Sequence, residues 1–307
     1  MNTNLPSPAP ADDGPGRSVF VSAQDGLRLH VRDYGPHTAS TLPVICLPGL
    51  ARTVADFAIV APFLATAAGN DRRVIAIDSR GRGRSEYDRN PENYNLLVEL
   101  ADVVTVLTAL EIGPAVFIGS SRGGLITMQL GVTHPALIAG VVLHDIGPVI
   151  EPTGLVRIKS YVGKVPQPRS YPEGAEILRR LFGGQFPKLT AEQWLAAAHR
   201  TWKLVDGAYV ATYDVRIAQT LATTNFEHAL PPAWKEFDAL ARVPLLVIRG
   251  ANSDILSAAT VAAMAARRAE MDVIEVPDQG HVPLLEGDEV LGQIAAFVAK
   301  CDAKRPD

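Results

Sequence analysis

Cysteine is nearly absent from this chain. Its two residues, Cys46 and Cys301, make no disulfide framework, and a reducing, cytoplasmic location is the expectation that follows. A dominant charge sign is also lacking: 29 Lys and Arg against 33 Asp and Glu leave a net charge of −4. No basic tract with interleaved aromatics occurs, which argues against nucleic acid as a partner. No apolar run reaches the roughly 20 residues of a spanning helix, so no membrane partner is expected either. Residues 1–16, rich in Pro, Ala and Asp, have neither the charged region nor the apolar region of a secretory signal and read as a disordered tail. Internal repeats are absent.

What remains is a chain of 307 residues, 47% hydrophobic, long enough to bury the core of one large domain or of one domain carrying an insertion. Segments 19–22 and 27–34, joined by Asp25-Gly26, read as a β-hairpin. Short, wholly apolar strands are predicted at 44–47, 74–77, 115–118, 141–143, 245–248 and 273–276. Runs of that kind suit strands covered on both faces, hence a mostly parallel sheet. Helix-length segments lie between them at 54–67, 96–110, 125–132, 258–269 and 289–299. The alternation predicts an open α/β sheet whose functional loops sit at the strand C-terminal ends. It breaks between Pro148 and Pro232, where helical pieces are separated by Gly and Pro. That stretch reads as a helical insertion lying over the strand ends as a lid. The predicted division is a tail at 1–16, a core of 17–147 and 233–307, and a helical cap at 148–232.

The stretch Gly119-Ser120-Ser121-Arg122-Gly123-Gly124 lies between the strand at 115–118 and the helix at 125–132. It reads as G-x-S-x-G in a strand-to-helix turn, where a nucleophile needs small neighbours and the helix N-terminus faces a forming oxyanion. Serine is a poor nucleophile without a base in hydrogen-bond reach. His281, directly after the last strand, falls on the same sheet edge as Ser121. His144, which also follows a strand, is its rival, while His30, His37, His134, His199 and His228 read as surface or structural. The base in turn needs a carboxylate to fix its tautomer. Asp254, beyond the strand at 245–248, fits that role, with Ser257 capping the helix behind it; Asp145 is the fallback acid. For the oxyanion hole the expected donors are the N–H groups of Arg122 and of Leu50 in the Pro48-Gly49-Leu50 loop.

Four segments carry a family resemblance: Leu47-Pro48-Gly49-Leu50, Asp78-Ser79-Arg80-Gly81-Arg82-Gly83-Arg84-Ser85, the Ser121 turn, and Gly280-His281 with Asp254 upstream. With them the chain resembles the α/β-hydrolase superfamily, in particular its capped bacterial serine esterases, lactonases and carbon–carbon bond hydrolases. The resemblance implies a mostly parallel eight-stranded sheet flanked by helices, with an inserted helical cap, and a structural role for the Asp78 to Ser85 turn. Two positions depart from the family pattern. Pro48 stands where His is frequent, which removes a side-chain brace of the oxyanion loop. Arg122 follows the nucleophile where Met, Leu or Gln is common, and its guanidinium suits either a substrate carboxylate or an internal salt bridge.

Trp194, Trp202, Tyr209 and Tyr213 are candidates to line an acyl or alcohol pocket, or alternatively to form the cap's own core. Basic residues of the insertion, Arg157 and Arg200 among them, outnumber its acidic ones, as suits a solvated surface; a mild positive bias also agrees with an anionic substrate. The expected function is hydrolysis of a small carboxylic ester or lactone by Ser121, His281 and Asp254, with no metal or organic cofactor. Carbon–carbon bond hydrolysis of a dienoic or β-diketone acid is the alternative. A slowly hydrolysing ligand receptor is the alternative from another class. The expected partner is the small-molecule substrate alone, and oligomeric state is left open.

Overall fold

The computed structural model describes residues 15–66, 71–222 and 230–303. Most of the expected tail, and His228, lie outside them. The N-terminal hairpin forms as predicted, from β1 (Arg17–Ser22) and β2 (Arg28–Tyr34), with Gly26 at φ +84° in its turn. Five parallel-type strands follow in the chain's first half and at the crossover: β3 (Val44–Leu47), β4 (Val74–Ile77), β5 (Ala115–Ser120), β6 (Ile138–His144) and, much later, β9 (Leu245–Gly250). The last strand is β10 (Asp272–Val276). Together they build an eight-stranded sheet in the order β1-β2-β4-β3-β5-β6-β9-β10, antiparallel at β1–β2 and β2–β4 and parallel elsewhere.

Helices cover both faces, which is why the inner strands are apolar without alternation. Along β5, Ala115 and Phe117 point into one core with Val103, Ile126 and Phe237. Val116 and Ile118 point into the other with Val60, Leu64 and Phe297. The first core is lined by α2 (Leu96–Ala109), α3 (Arg122–Thr133), α8 (Trp234–Asp238) and α9 (Ala258–Arg267). The second is lined by α1 (Val60–Thr66) and α10 (Asp288–Ala303). Asn95 caps α2 by accepting from the N–H groups of Leu97 and Val98, and Ser257 caps α9. The helix predicted over 54–67 is split: a 3-10 turn at Val54–Phe57, capped by Thr53, precedes α1. Among the described residues no helix is long and apolar enough to cross a membrane.

Between the neighbouring strands β6 and β9 the chain leaves the sheet. It forms α4 (Pro152–Tyr161), α5 (Tyr171–Phe182) and α6 (Ala191–Thr201), then a two-stranded hairpin of β7 (Trp202–Val205) and β8 (Ala208–Ala211), then α7 (Gln219–Ala222). The expectation of a purely helical insertion is therefore corrected. Asp206-Gly207 turns the hairpin with φ +48° and +81°, both left-handed, as a two-residue hairpin turn requires. The insertion has a small core of its own, built from Leu178, Phe186, Trp194, Ala198 and Trp202.

The turn between β5 and α3 is tightly packed. A Cβ on Gly123 would lie 2.1 Å from the Leu47 carbonyl oxygen, so strand β3 and helix α3 touch backbone to backbone there. Gly123→Ala is expected to lower stability by about 1–3 kcal/mol, the usual cost of overpacking. Urea unfolding measures it, and an unchanged midpoint would contradict the packing described.

Candidate active site

Ser121 sits at φ +49°, ψ −112°, a conformation L-residues avoid, at a cost on the order of 1–3 kcal/mol. The turn is held by Ser121 N–H donating to His144 O at 2.9 Å, so the nucleophile candidate is tied to the end of the neighbouring strand. Ser121 Oγ lies 2.8 Å from His281 Nε2, and His281 Nδ1 lies 2.8 Å from Asp145 Oδ2. Serine, base and carboxylate thus form one hydrogen-bonded chain, with Asp145 fully buried and the His281 side chain 6% exposed.

The structure brings Ser121 and His281 together and sets Asp145, the fallback candidate, rather than Asp254 against His281. Asp254 is bonded bidentately to Arg157 of α4, Oδ2 to Nε at 2.6 Å and Oδ1 to Nη2 at 2.8 Å, and does not reach His281. Although its partial burial works the other way, the Arg157 pair holds the Asp254 carboxyl below the ordinary range. The loop beyond β9 serves Asp145 instead of supplying the acid. Gly250 N–H donates to Asp145 Oδ1 at 2.9 Å and Ser253 Oγ–H to Oδ2 at 2.6 Å. Both carboxylates follow strand ends on the same sheet edge, so strand placement alone does not separate them. Asp145 follows β6 without an intervening residue, whereas three residues stand between Gly250, the end of β9, and Asp254.

His144, the rival base, is buried away from that role. Its Nδ1 is 2.6 Å from Ser120 Oγ and its Nε2 is 2.8 Å from the Pro283 carbonyl. A neutral ring satisfies both contacts, accepting from the serine hydroxyl and donating to the carbonyl. The side chain therefore braces the residue before Ser121 against the loop after His281. The other histidines read as expected where described: His30 bonds Asp78 in the interior, and His199 stacks on Tyr171.

Around the predicted oxyanion donors, the Gly49 loop comes close to the nucleophile, with a notional Gly49 Cβ 3.7 Å from Ser121 Cβ. The brace missing at Pro48 is supplied from elsewhere. Buried Arg82 donates from Nε to the Leu50 carbonyl at 2.5 Å and pairs through Nη1 with Glu99 at 2.9 Å. Glu99 Oε2 also accepts from Arg122 Nε at 2.6 Å, and Arg122 Nη2 donates to Tyr94 O. Burial disfavours the Glu99 carboxylate, but Arg82 and Arg122 together hold its pKa below the ordinary value. Of the two roles open to it, the Arg122 side chain takes the internal ion pair, and it is not among the residues lining the cavity. In the Asp78 to Ser85 turn, Arg80 binds Asp102, Asp88 and Asp25, and so fills a structural role.

Ser121 and His281 open into a cavity of about 210 Å³, smaller than the roughly 300–1,000 Å³ of sites for drug-sized ligands. Ile158, Val162, Phe182 and Leu285 give it apolar walls, and Trp194 and Tyr213 line it as predicted. Trp202 and Tyr209 do not; Trp202 is buried in the insertion's own core and Tyr209 packs edge-on against Tyr171. No sequence signal singled out the aliphatic lining, since its residues look like any core positions. Arg52, Asp56 and Arg200 also face the cavity, and the sequence reading did not single out this cluster. Among the described residues, no group of three or more His, Cys, Asp or Glu is arranged to hold a metal ion.

Burial pushes the His144 imidazole down to about 4, from an ordinary 6.5. Between those values the unfolded chain takes up a proton that the folded one refuses, so stability falls as pH drops from about 6.5 towards 4. His144→Gln is expected to flatten that slope by up to about 1.4 kcal/mol per pH unit. Urea unfolding from pH 7 to 4.5 measures it; parallel slopes for the two proteins would contradict a buried neutral ring.

Comparison with known proteins bears on the family and the fold. The model of the "Alpha/beta hydrolase family" matches residues 44–293. A 3-hydroxybutyrate-oligomer hydrolase of Cupriavidus necator is 34% identical over 277 residues, 87% of this chain and 92% of that protein. A 2-(acetamidomethylene)succinate hydrolase of Mesorhizobium japonicum is 26% identical over 208 residues, 67% of this chain and 71% of that one. The crystal structure of an alpha/beta hydrolase from Novosphingobium aromaticivorans superposes with a TM-score of 0.83 at 38% identity, covering 93% of this chain and 98% of that chain.

Proposed function

Because the chain belongs to the alpha/beta hydrolase family, we propose that it is a serine hydrolase cleaving a small carboxylic ester or lactone through an acyl-enzyme. The observation that carries this reading is the hydrogen-bonded chain Ser121–His281–Asp145 at the wall of a largely apolar cavity. Ser121 Oγ attacks the carbonyl carbon while its proton passes to His281 Nε2. The carbonyl electron pair moves onto oxygen, where the N–H groups of Leu50 and Arg122 and the N-terminus of α3 stabilise it. Collapse breaks the bond to the alkoxy oxygen, which takes the proton from His281 and leaves as the alcohol; in a lactone it stays attached to the acyl chain. Water then attacks the acyl-enzyme, gives a proton to His281, and the acid departs as that proton returns to Ser121. Asp145 keeps Nδ1 protonated and stabilises the imidazolium throughout.

The relative from Cupriavidus is named for an oligomer of a hydroxy acid, whose units are joined by ester bonds, and this supports an ester rather than a carbon–carbon bond as the target. Arg122, one residue able to hold the carboxylate of a dienoic or β-diketone acid, is taken up by its pair with Glu99. Residues 148–232 act in this reading as a cap over the cavity, which α4 and α6 help to wall. Two buried cysteines outside any disulfide, Cys46 and Cys301, fit a cytoplasmic location.

Asp145→Asn is expected to lower kcat on short esters by about 10⁴-fold, with the fold retained. Asp254→Asn, by contrast, should cost less than about tenfold, since it breaks an ion pair outside the hydrogen-bonded chain. Steady-state kinetics on both variants decides the assignment, and the reverse order of effects would return Asp254 to the acid's role.

A further inference from the structure

The cavity holds one cation whose hydrogen-bonding capacity the protein leaves unused. Arg52 follows the oxyanion loop and turns back on Asp56, donating to both carboxylate oxygens, with Nε–Oδ2 at 2.7 Å. Its Nη1 also reaches Thr201 Oγ1 at 3.4 Å. Asp56 is thereby occupied. Arg200, near the end of α6, approaches the same Oδ1 only at 3.6 Å and makes no side-chain hydrogen bond among the described residues. Its side chain is 18% exposed, and none of its nitrogens is among the fully shielded ones, so the fork stays accessible to a ligand. The other acid of this wall, Glu286, accepts from Gln193 Nε2 at 2.6 Å.

A guanidinium carries five donors in a planar fork suited to a carboxylate, and burying one without acceptors is costly. Desolvation accordingly pushes the Arg200 pKa down even with Asp56 nearby. The rest of the lining is mainly apolar, with Tyr161, Thr201 and Tyr213 among its neutral polar side chains. Arg200 faces the same cavity as Ser121, and Arg52 is braced against the loop that abuts Ser121, its Cγ 3.4 Å from a notional Gly49 Cβ. We propose that Arg200, set in place by the Arg52–Asp56 pair, binds a free carboxylate of the substrate. The substrate class is then a short ester that carries a carboxylate a few atoms from the scissile carbonyl, such as a half ester of a dicarboxylic acid or an ester of a hydroxy acid. This assignment rests on the serine hydrolase reading for its orientation, but the anion site itself does not depend on turnover.

Binding to the Ser121→Ala protein, measured by calorimetry, separates the two questions. Monoethyl succinate is expected to bind at least tenfold more tightly than diethyl succinate, and Ser121→Ala/Arg200→Gln is expected to lose that preference. Adding Arg179→Gln to Ser121→Ala, which changes an exposed arginine paired with Glu176 on α5, should keep it. In the wild type, Arg200→Gln should lower the ratio of kcat/KM for the half ester over the diester by tenfold or more, mainly through KM for the half ester. Equal binding of the two esters, or a preference that survives Arg200→Gln in a folded protein, would overturn the carboxylate site. Failure of the wild type to hydrolyse either ester would count against the hydrolase reading alone, since the binding preference is read without turnover.

Discussion

The site depends on the register of parallel strands at one edge of the sheet. Ser120 of β5 is paired with His144 of β6, and His144 with Ile248 of β9. The residues that follow these pairs, Ser121 and Asp145, are both driven to positive φ, at +49° and +54°. Each is pinned by its N–H to the adjacent strand, Ser121 to His144 O and Asp145 to Ile248 O. Nucleophile and carboxylate therefore emerge side by side, and a histidine on the loop after β10 closes the gap between them. The local strain is stable because the surrounding backbone contacts leave no room for another conformation.

A second level of order fixes the surroundings of the reacting atom. Glu99, from α2, is shared by Arg82 and Arg122. Arg82 holds the carbonyl of Leu50, and Arg122 begins α3, so one buried carboxylate links the two backbone segments that carry the proposed oxyanion donors. His144 does the corresponding work on the base, joining Ser120 to Pro283. Buried charged chains of this kind contribute little net stability but strongly disfavour alternative arrangements of the parts they join, a benefit to geometry more than to folding.

Much of this was legible in the sequence. Apolar strand runs, the Gly-rich turn at Ser121 and the histidine after the last strand report backbone requirements that only a few residue types meet. The acid was not separable, because Asp145 and Asp254 both follow strand ends and only the tertiary pairing of Arg157 with Asp254 distinguishes them. Arg122 misled for a related reason: its partner Glu99 is 23 residues away in the chain and sits on a helix whose facing surface the pattern did not specify. The hairpin at Asp206-Gly207 did have a signal, the same turn dipeptide type that marks the N-terminal hairpin. Its four-residue strands start where α6 ends, so the helical reading ran over them.

The central claim is that Ser121 is the nucleophile of an otherwise ordinary surface of serines. Reaction with a fluorophosphonate, followed by peptide mapping in a mass spectrometer, tests it most directly, because phosphonylation needs a hydroxyl activated by a neighbouring base. The account predicts a single stoichiometric adduct on Ser121, lost in His281→Ala. An unlabelled protein, or an adduct on any other serine, would contradict it.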